Sequence, residues 1–291
     1  MMKKQLTEQL APGYTISVES ESLLATADGP FPLEIHNTKQ FGKTLYMGGH
    51  FMTSEVDEFV YHELIVHPPL MEIEWASRVL IIGGGDGGAV EEVLKYEGIK
   101  HVDLVEIDRS VVEFSHKHLQ VINNGKLRDA RVHIHIADGY DFVMETRKKD
   151  LCDNDLYDVI ILDLTDPEGP AERLYTTEFF SACKRLLIDD GAFMFHLGSA
   201  WTHPQRLCEM YDRATDVFED VRPFTAFVPL YGTLWTFAMC RPFHIDPIDV
   251  EDIEMRFRVE QLGKLKYYSP QMHSAMFVLP PFVERALKEG R

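Results

Sequence analysis

RVLIIGGGDGG, residues 78–88, decides the fold of this chain. Residues 79–82 form an unbroken apolar run closed by glycines, the pattern of a strand buried on both faces that feeds a tight turn. GAVEEVLKY (88–96) then reads as a helix. The same alternation repeats downstream. HVDLVEID (101–108) is a strand and RSVVEFSHKHL (109–119) a helix; RVHIHIADG (131–139) and YDVIILDLTD (157–166) are further strands. TTEFFSACKRLL (176–187) is a helix, GAFMFHLG (191–198) a fifth strand, and THPQRLCEMYDRATDVF (202–218) another helix. VRPFTAFVPL and TLWTFAMC (221–240) predict a final hairpin, and the tail from about Ile245 is helical. Strands alternating with helices imply an α/β fold, a Rossmann-like doubly wound parallel sheet.

Upstream the pattern is different. Residues 14–29, 32–42 and 43–52 carry alternating or β-branched and aromatic residues between glycine turns, which predicts a small N-terminal β-domain. DEFVYHELIVHPPL (57–70) has helical apolar spacing, and Pro68 and Pro69 are expected to stop that helix. The predicted division is a β-rich domain over 1–70 and a Rossmann-like domain with a helical C-terminal tail over 71–291. The charged stretch 145–156 reads as a surface loop.

Ligands of such sheets sit outside the carboxyl ends of the strands, so the strand ends are the candidate site. The first end carries Asp86 inside its glycine loop. An acid there caps a helix in many proteins, but it also repels a pyrophosphate or a substrate carboxylate and attracts an ammonium group. The second end offers Glu106, about 20 residues past the loop, where an acid accepts ribose hydroxyls; Asp108 is the alternative helix cap. The third end, Asp138 and Gly139, suits an adenine amino group or a turn. The fourth brings Asp163 and Asp166 three residues apart. Either satisfies local backbone donors as a turn acid, or the pair serves amine chemistry. An aliphatic amine is protonated near neutrality, and its lone pair attacks only after a carboxylate takes the proton. The proline- and glycine-containing stretch after Asp166 is a candidate lid.

The bulk composition bounds the partners. The 291 residues carry a formal net charge of −18, which disfavours nucleic acid and anionic lipid and favours cationic small molecules. No apolar run is long enough to span a bilayer, and MMKKQLTEQLAPGY has no apolar signal core. Cys152, Cys183, Cys208 and Cys240 have neither C-x-x-C nor zinc spacing, which fits free thiols in the cytoplasm.

GGGDGGAVEEVLKY, LVEIDRSVVEF, RVHIHIADGYDFV, DLTDPEGPAERLYTTEFF and DEFVYHELIVHPPL together resemble the motifs of polyamine aminopropyltransferases, the spermidine synthase family. The tail PQMHSAMFVLPPF and the spacing of TAFVPLYGTLWTF are similar to the agmatine/triamine and thermospermine branches. The resemblance implies transfer of a 3-aminopropyl group from decarboxylated S-adenosylmethionine, a co-substrate, to a polyamine acceptor, with no metal or other cofactor, in a homodimer or homotetramer. It makes Asp163 the proton acceptor and assigns the amine chain to Asp166 and Tyr61. It gives the propylamine end to Asp86, the ribose to Glu106, the adenine to Asp138 and Gly139, and a place in the nucleoside pocket to His62. Tyr231 matches an aromatic residue that contacts the amine. Gly48 stands where the family often has Asp. Met52, residues 31–32 and His196 stand where Gln is frequent, and Leu164 replaces a small polar residue. Met52 can only pack, so the acceptor end is expected to differ while the acidic positions remain. Two rivals are an S-adenosylmethionine methyltransferase, which Asp86 opposes, and a polyamine binder without turnover, which Asp163 opposes.

Overall fold

The computed structural model describes residues 4–149, 152–167 and 169–291. Five strands, β1 (Lys4–Ala11), β2 (Tyr14–Ala27), β3 (Leu33–Thr38), β4 (Gly42–Met47) and β5 (His50–Ser54), form an antiparallel sheet in sequence order. Its inner face, with Leu33, Ile35 and Leu45, packs against Phe114, Leu119 and Ile122 of the larger unit.

The second sheet holds β6 (Arg78–Gly83), β7 (His101–Glu106), β8 (Val132–Ile136), β9 (Tyr157–Asp163), β10 (Leu187–Gly198), β11 (Asp220–Val228) and β12 (Thr233–Arg241). Their spatial order is β11-β12-β10-β9-β6-β7-β8. From β8 to β10 neighbours run parallel, and β12 is antiparallel to both β10 and β11. The alternation of the strand explains the double winding: Val79 and Ile81 of β6 enter one core, Leu80 and Ile82 the other. The order of connection reverses between β6 and β9, which makes that junction the topological switch point. Of the 145–156 loop, Asp150 and Leu151 lie outside the described residues; a single 3₁₀ turn spans Asp153–Asp155. Among the described residues no helix is long and apolar enough to cross a membrane. All four cysteines are free thiols.

Helix α1 (Glu58–Glu72) departs from expectation, because it runs through Pro68 and Pro69 to Glu72. Each proline removes a ladder bond and crowds the preceding turn. Burial and an ionic anchor offset that loss. Every residue from Val60 to Glu72 is buried, and the helix packs on the larger sheet. At its end the Glu72 carboxylate accepts from Arg222, from Arg241 at 2.9 Å and from His273 at 3.1 Å. Burial alone would raise the Glu72 pKa, but the His273 and Arg222 hydrogen bonds and the two guanidinium charges bring it down to about 2. This anchor fixes the register of Tyr61 and His62. Glu72→Gln is expected to destabilise the fold by about 3 kcal/mol, because two arginines lose their buried counter-ion. Urea titration at neutral pH reads the difference. The wild-type advantage is present above pH ~4.5 and fades as pH falls towards 2.

Candidate active site

The C-terminal ends of β6, β7 and β9 and the side of α1 meet at the switch point. Gly83 and Gly84 leave β6 with φ of 82° and 66°, a left-handed turn that glycine adopts freely. The turn lies directly on β9: the Gly84 N–H donates to the Asp163 carbonyl at 2.8 Å. A Cβ on Gly84 would stand 2.7 Å from Asp163 Oδ2, so only a glycine leaves that carboxylate its place.

Asp86 follows in the loop. Its Oδ1 accepts from Gly88 N at 2.9 Å, and its Oδ2 lies 3.6 Å from His62 Nε2. The other His62 nitrogen, Nδ1, pairs with Glu58 Oε2 at 2.7 Å, one helical turn earlier. Burial would strip His62 of its proton, yet the Asp86 and Glu58 carboxylates hold its pKa well above the usual value. Burial likewise works against the Asp86 charge, and the His62 cation and hydrogen bond lower its pKa.

Asp163 ends β9. Burial, then repulsion from Asp86, raises its pKa to about 7, against the opposing His62 charge and Tyr61 hydroxyl. Its Oδ2 is buried without a hydrogen-bond partner. An unpartnered carboxylate oxygen in the interior is costly unless something else fills the position. Tyr61 and Tyr231 wall this space, with ring centroids 6.0 Å apart. The Tyr231 hydroxyl donates to the Met52 carbonyl at 3.0 Å, and the Met52 side chain packs into the small-sheet core. Asp57 holds the Tyr231 loop, accepting from Leu230 N at 2.7 Å.

Among the described residues, His62, Asp86 and Asp163 form the single group of three ligand-type side chains, with atoms within 4.8 Å of one another. Both imidazole nitrogens face carboxylates, Nδ1 towards Glu58 and Nε2 towards Asp86, and these charges favour the imidazolium. Two acids around a shared space suit an ammonium group.

Glu106 closes β7, buried and accepting from Asp108 N at 3.0 Å. Burial raises its pKa. The alternative role falls to Asp108, which caps α3 (Arg109–His118) through Ser110 N. Asp138 at the end of β8 caps α5 (Gly139–Thr146), accepting from Tyr140 N and Asp141 N through one oxygen. Its other oxygen is 3.5 Å from Arg173. Gly139 lies so close to Ile82 that a side chain would collide with it.

Asp166 sits apart from the Asp163 cluster. One of its oxygens takes Arg206 NH2 at 2.5 Å and the other is buried without a partner. Beside it, His196 on β10 sends Nε2 to the Leu164 carbonyl at 2.8 Å, which makes that nitrogen the donor and leaves Nδ1 a buried, unpartnered acceptor. The Trp235 ring lies tilted against His196 and Tyr231, with centroids 5.4 Å and 4.9 Å away. The candidate lid after Asp166 forms a 3₁₀ turn over Gly169–Tyr175, with Glu168 outside the described residues.

Tyr61, His62, Asp86, Asp163 and Tyr231 thus meet in one place, with Glu106 and Asp138 on the flanking strand ends and Asp166 three residues beyond Asp163. Sequence reasoning missed Glu58, Asp57 and Arg206. Glu58 stands four residues before His62, a spacing legible as a helical pair. Nothing local announces Arg206, which arrives from α7 (Pro204–Thr215), 40 residues beyond Asp166.

The spermine/spermidine synthase domain matches residues 58–247. A polyamine aminopropyltransferase of Nitrosomonas europaea is 38% identical over 285 residues, 97% of this chain and 85% of that protein. One from Bacillus subtilis is 37% identical over 97% of this chain and 98% of its own length. A crystal structure of spermidine synthase with the transition-state analogue AdoDATO superposes with a TM-score of 0.90 at 31% identity, covering 99% of this chain and 96% of that one. Spermidine synthase from Thermotoga maritima gives 0.87 at 30%, covering 99% and 95%. With the acid-lined switch point, these similarities place the chain in the spermine/spermidine synthase family, and it is an aminopropyltransferase.

Proposed function

We propose that the enzyme transfers a 3-aminopropyl group from decarboxylated S-adenosylmethionine to a polyamine acceptor and releases 5′-methylthioadenosine, with Asp163 as the proton acceptor. The observation that carries this reading is the buried, unpartnered Asp163 oxygen beside Asp86 at the switch point. In the reaction the acceptor nitrogen attacks the aminopropyl carbon bonded to sulfur. A C–N bond forms, the C–S bond breaks, sulfur keeps the electron pair and becomes a neutral thioether, and the amine proton passes to the Asp163 carboxylate. The step consumes no redox equivalent and balances between the two substrates. Sulfonium is a good leaving group, and positioning supplies much of the acceleration.

Asp86, with His62 behind it, receives the donor ammonium group; Glu106 takes the ribose, and Asp138 with Gly139 the adenine. Tyr61, Asp166 and Tyr231 line the acceptor chain. The acceptors that fit are putrescine, giving spermidine, and spermidine or agmatine. The free thiols and acidic surface fit a cytoplasmic enzyme, and a homodimer or homotetramer is the expected assembly.

The test incubates the protein with decarboxylated S-adenosylmethionine and, separately, putrescine, spermidine, agmatine and cadaverine, with products read by mass spectrometry. One acceptor gaining a propylamine unit together with methylthioadenosine supports the reading. A methylated product from S-adenosylmethionine, or amine binding without methylthioadenosine release, overturns it.

A further inference from the structure

The large sheet works as a ruler across the site. Adjacent strands lie about 4.8 Å apart, and the order β7-β6-β9-β10-β12 sets Glu106, Asp86, Asp163, His196 and Trp235 in sequence across it. With the nucleoside on the β7 side of Asp163, an acceptor chain extends the other way, over β10 and β12. A diamine attacking at Asp163 therefore carries its second nitrogen to the neighbourhood of Asp166 and His196.

That neighbourhood is already occupied by a positive charge. Arg206 NH2 lies 2.5 Å from Asp166 Oδ2, with both side chains partly shielded from solvent. Among the described residues, the acceptors left over are Asp166 Oδ1 and His196 Nδ1, both buried and unpartnered. Burial keeps His196 neutral by lowering its pKa, against the pull of Asp166. The distal end thus offers hydrogen-bond acceptors around a carboxylate already paired with a cation.

We propose that Arg206 is a specificity-determining positioning residue, an internal counter-cation that competes with the distal ammonium of a diamine acceptor for Asp166. This rests on the assignment of Asp163 and Asp166 to the acceptor under the proposed function. In this arrangement a second full charge on the acceptor gains little Coulombic attraction and meets the Arg206 charge instead, while hydrogen bonding to His196 Nδ1 and Asp166 Oδ1 persists. Acceptors are selected by where their distal N–H groups fall more than by how much charge they bear.

The experiment compares wild type, Arg206→Gln and Arg206→Lys with methylthioadenosine bound, titrating putrescine and butylamine by calorimetry, and follows KM and kcat for putrescine in parallel. Arg206→Gln is expected to tighten putrescine roughly fivefold and to leave butylamine, which has no distal nitrogen, within a factor of about two. Arg206→Lys keeps the charge and is expected to stay near wild type, which a purely structural role of the guanidinium fork would not allow. The gain appears in KM rather than kcat. Equal or weaker putrescine binding in Arg206→Gln, or an equal gain for butylamine, overturns the proposal. A wild type that shows the binding difference but transfers no aminopropyl group overturns the assigned reaction instead.

Discussion

Asp163→Asn is expected to lower kcat by about 10³-fold while nucleoside affinity stays within a few-fold of wild type. The amide has nearly the shape of the carboxylate, so the loop and strand that surround it keep their geometry. It cannot accept a proton or neutralise the charge that develops on the attacking nitrogen. The proposed nucleoside contacts lie on other strand ends, Glu106 on β7 and Asp138 after β8. Methylthioadenosine binding by calorimetry therefore separates loss of chemistry from loss of the pocket. Parallel loss of both would mean that Asp163 is structural.

The same substitution carries a second, opposite signature. Asp163 has a pKa raised from 3.8 to about 7, first by burial and then by the Asp86 charge. A carboxylic acid whose folded pKa lies above its unfolded one destabilises the fold when it ionises. Its contribution is fully favourable below pH ~3.8 and is lost as pH rises through about 7. The asparagine never ionises. Above pH 7 the variant is expected to gain at most about 4 kcal/mol, or several degrees in Tm, and the gain should shrink to nothing near pH 4. A thermal-melt series across pH checks the sign. Wild-type kcat/KM for the amine should rise with pH up to about 7, where the free acid becomes the base. An inactive variant that is also more stable at alkaline pH is the mark of strain held for function.

Most of this site was legible because its residues sit at the ends of strongly apolar strands. The residue that follows a buried strand is placed by the sheet, so Glu106 and Asp163 could be located from one-dimensional patterning alone. Asp86 was placed by the glycine turn around it. Asp108 and Glu106 were separable only in three dimensions, where a cap bond from Ser110 N goes to Asp108. What stayed hidden depends on long-range packing. Pro68 and Pro69 read as a stop, since a sequence shows the lost backbone bonds but not the buried Glu72–Arg222–Arg241 anchor that holds the helix beyond them. The ion pair of Asp166 was equally invisible, because its partner Arg206 belongs to a helix whose own amphipathic pattern gives no hint of the site. The acidic positions are legible in one dimension, whereas the cations that pair with them, Arg206 with Asp166 and Arg222 and Arg241 with Glu72, come from distant parts of the chain.

Gly83→Ala is expected to destabilise the protein by more than about 4 kcal/mol and to abolish donor binding with it. Two independent penalties act at this position. The residue has φ of 82°, where an alanine is strained. A Cβ there would also fall inside van der Waals contact with the Asp163 carbonyl, a backbone atom of the neighbouring strand that cannot swing aside. Relief requires β6 and β9 to part at their C-terminal ends, which breaks the Gly84 N–H bond to Asp163 at 2.8 Å and moves both acids of the switch point. Gly84→Ala is the informative contrast. Its Cβ would meet the Asp163 carboxylate, a side chain with some freedom, at 2.7 Å. That variant, though strained by its own φ of 66°, is expected to fold, to bind methylthioadenosine and to lose turnover. Urea unfolding and methylthioadenosine calorimetry on the two variants check the pair. A stable, donor-binding Gly83→Ala would mean that the two strands separate without disturbing the nucleoside, and the close apposition of loop and base would then not be what assembles the site.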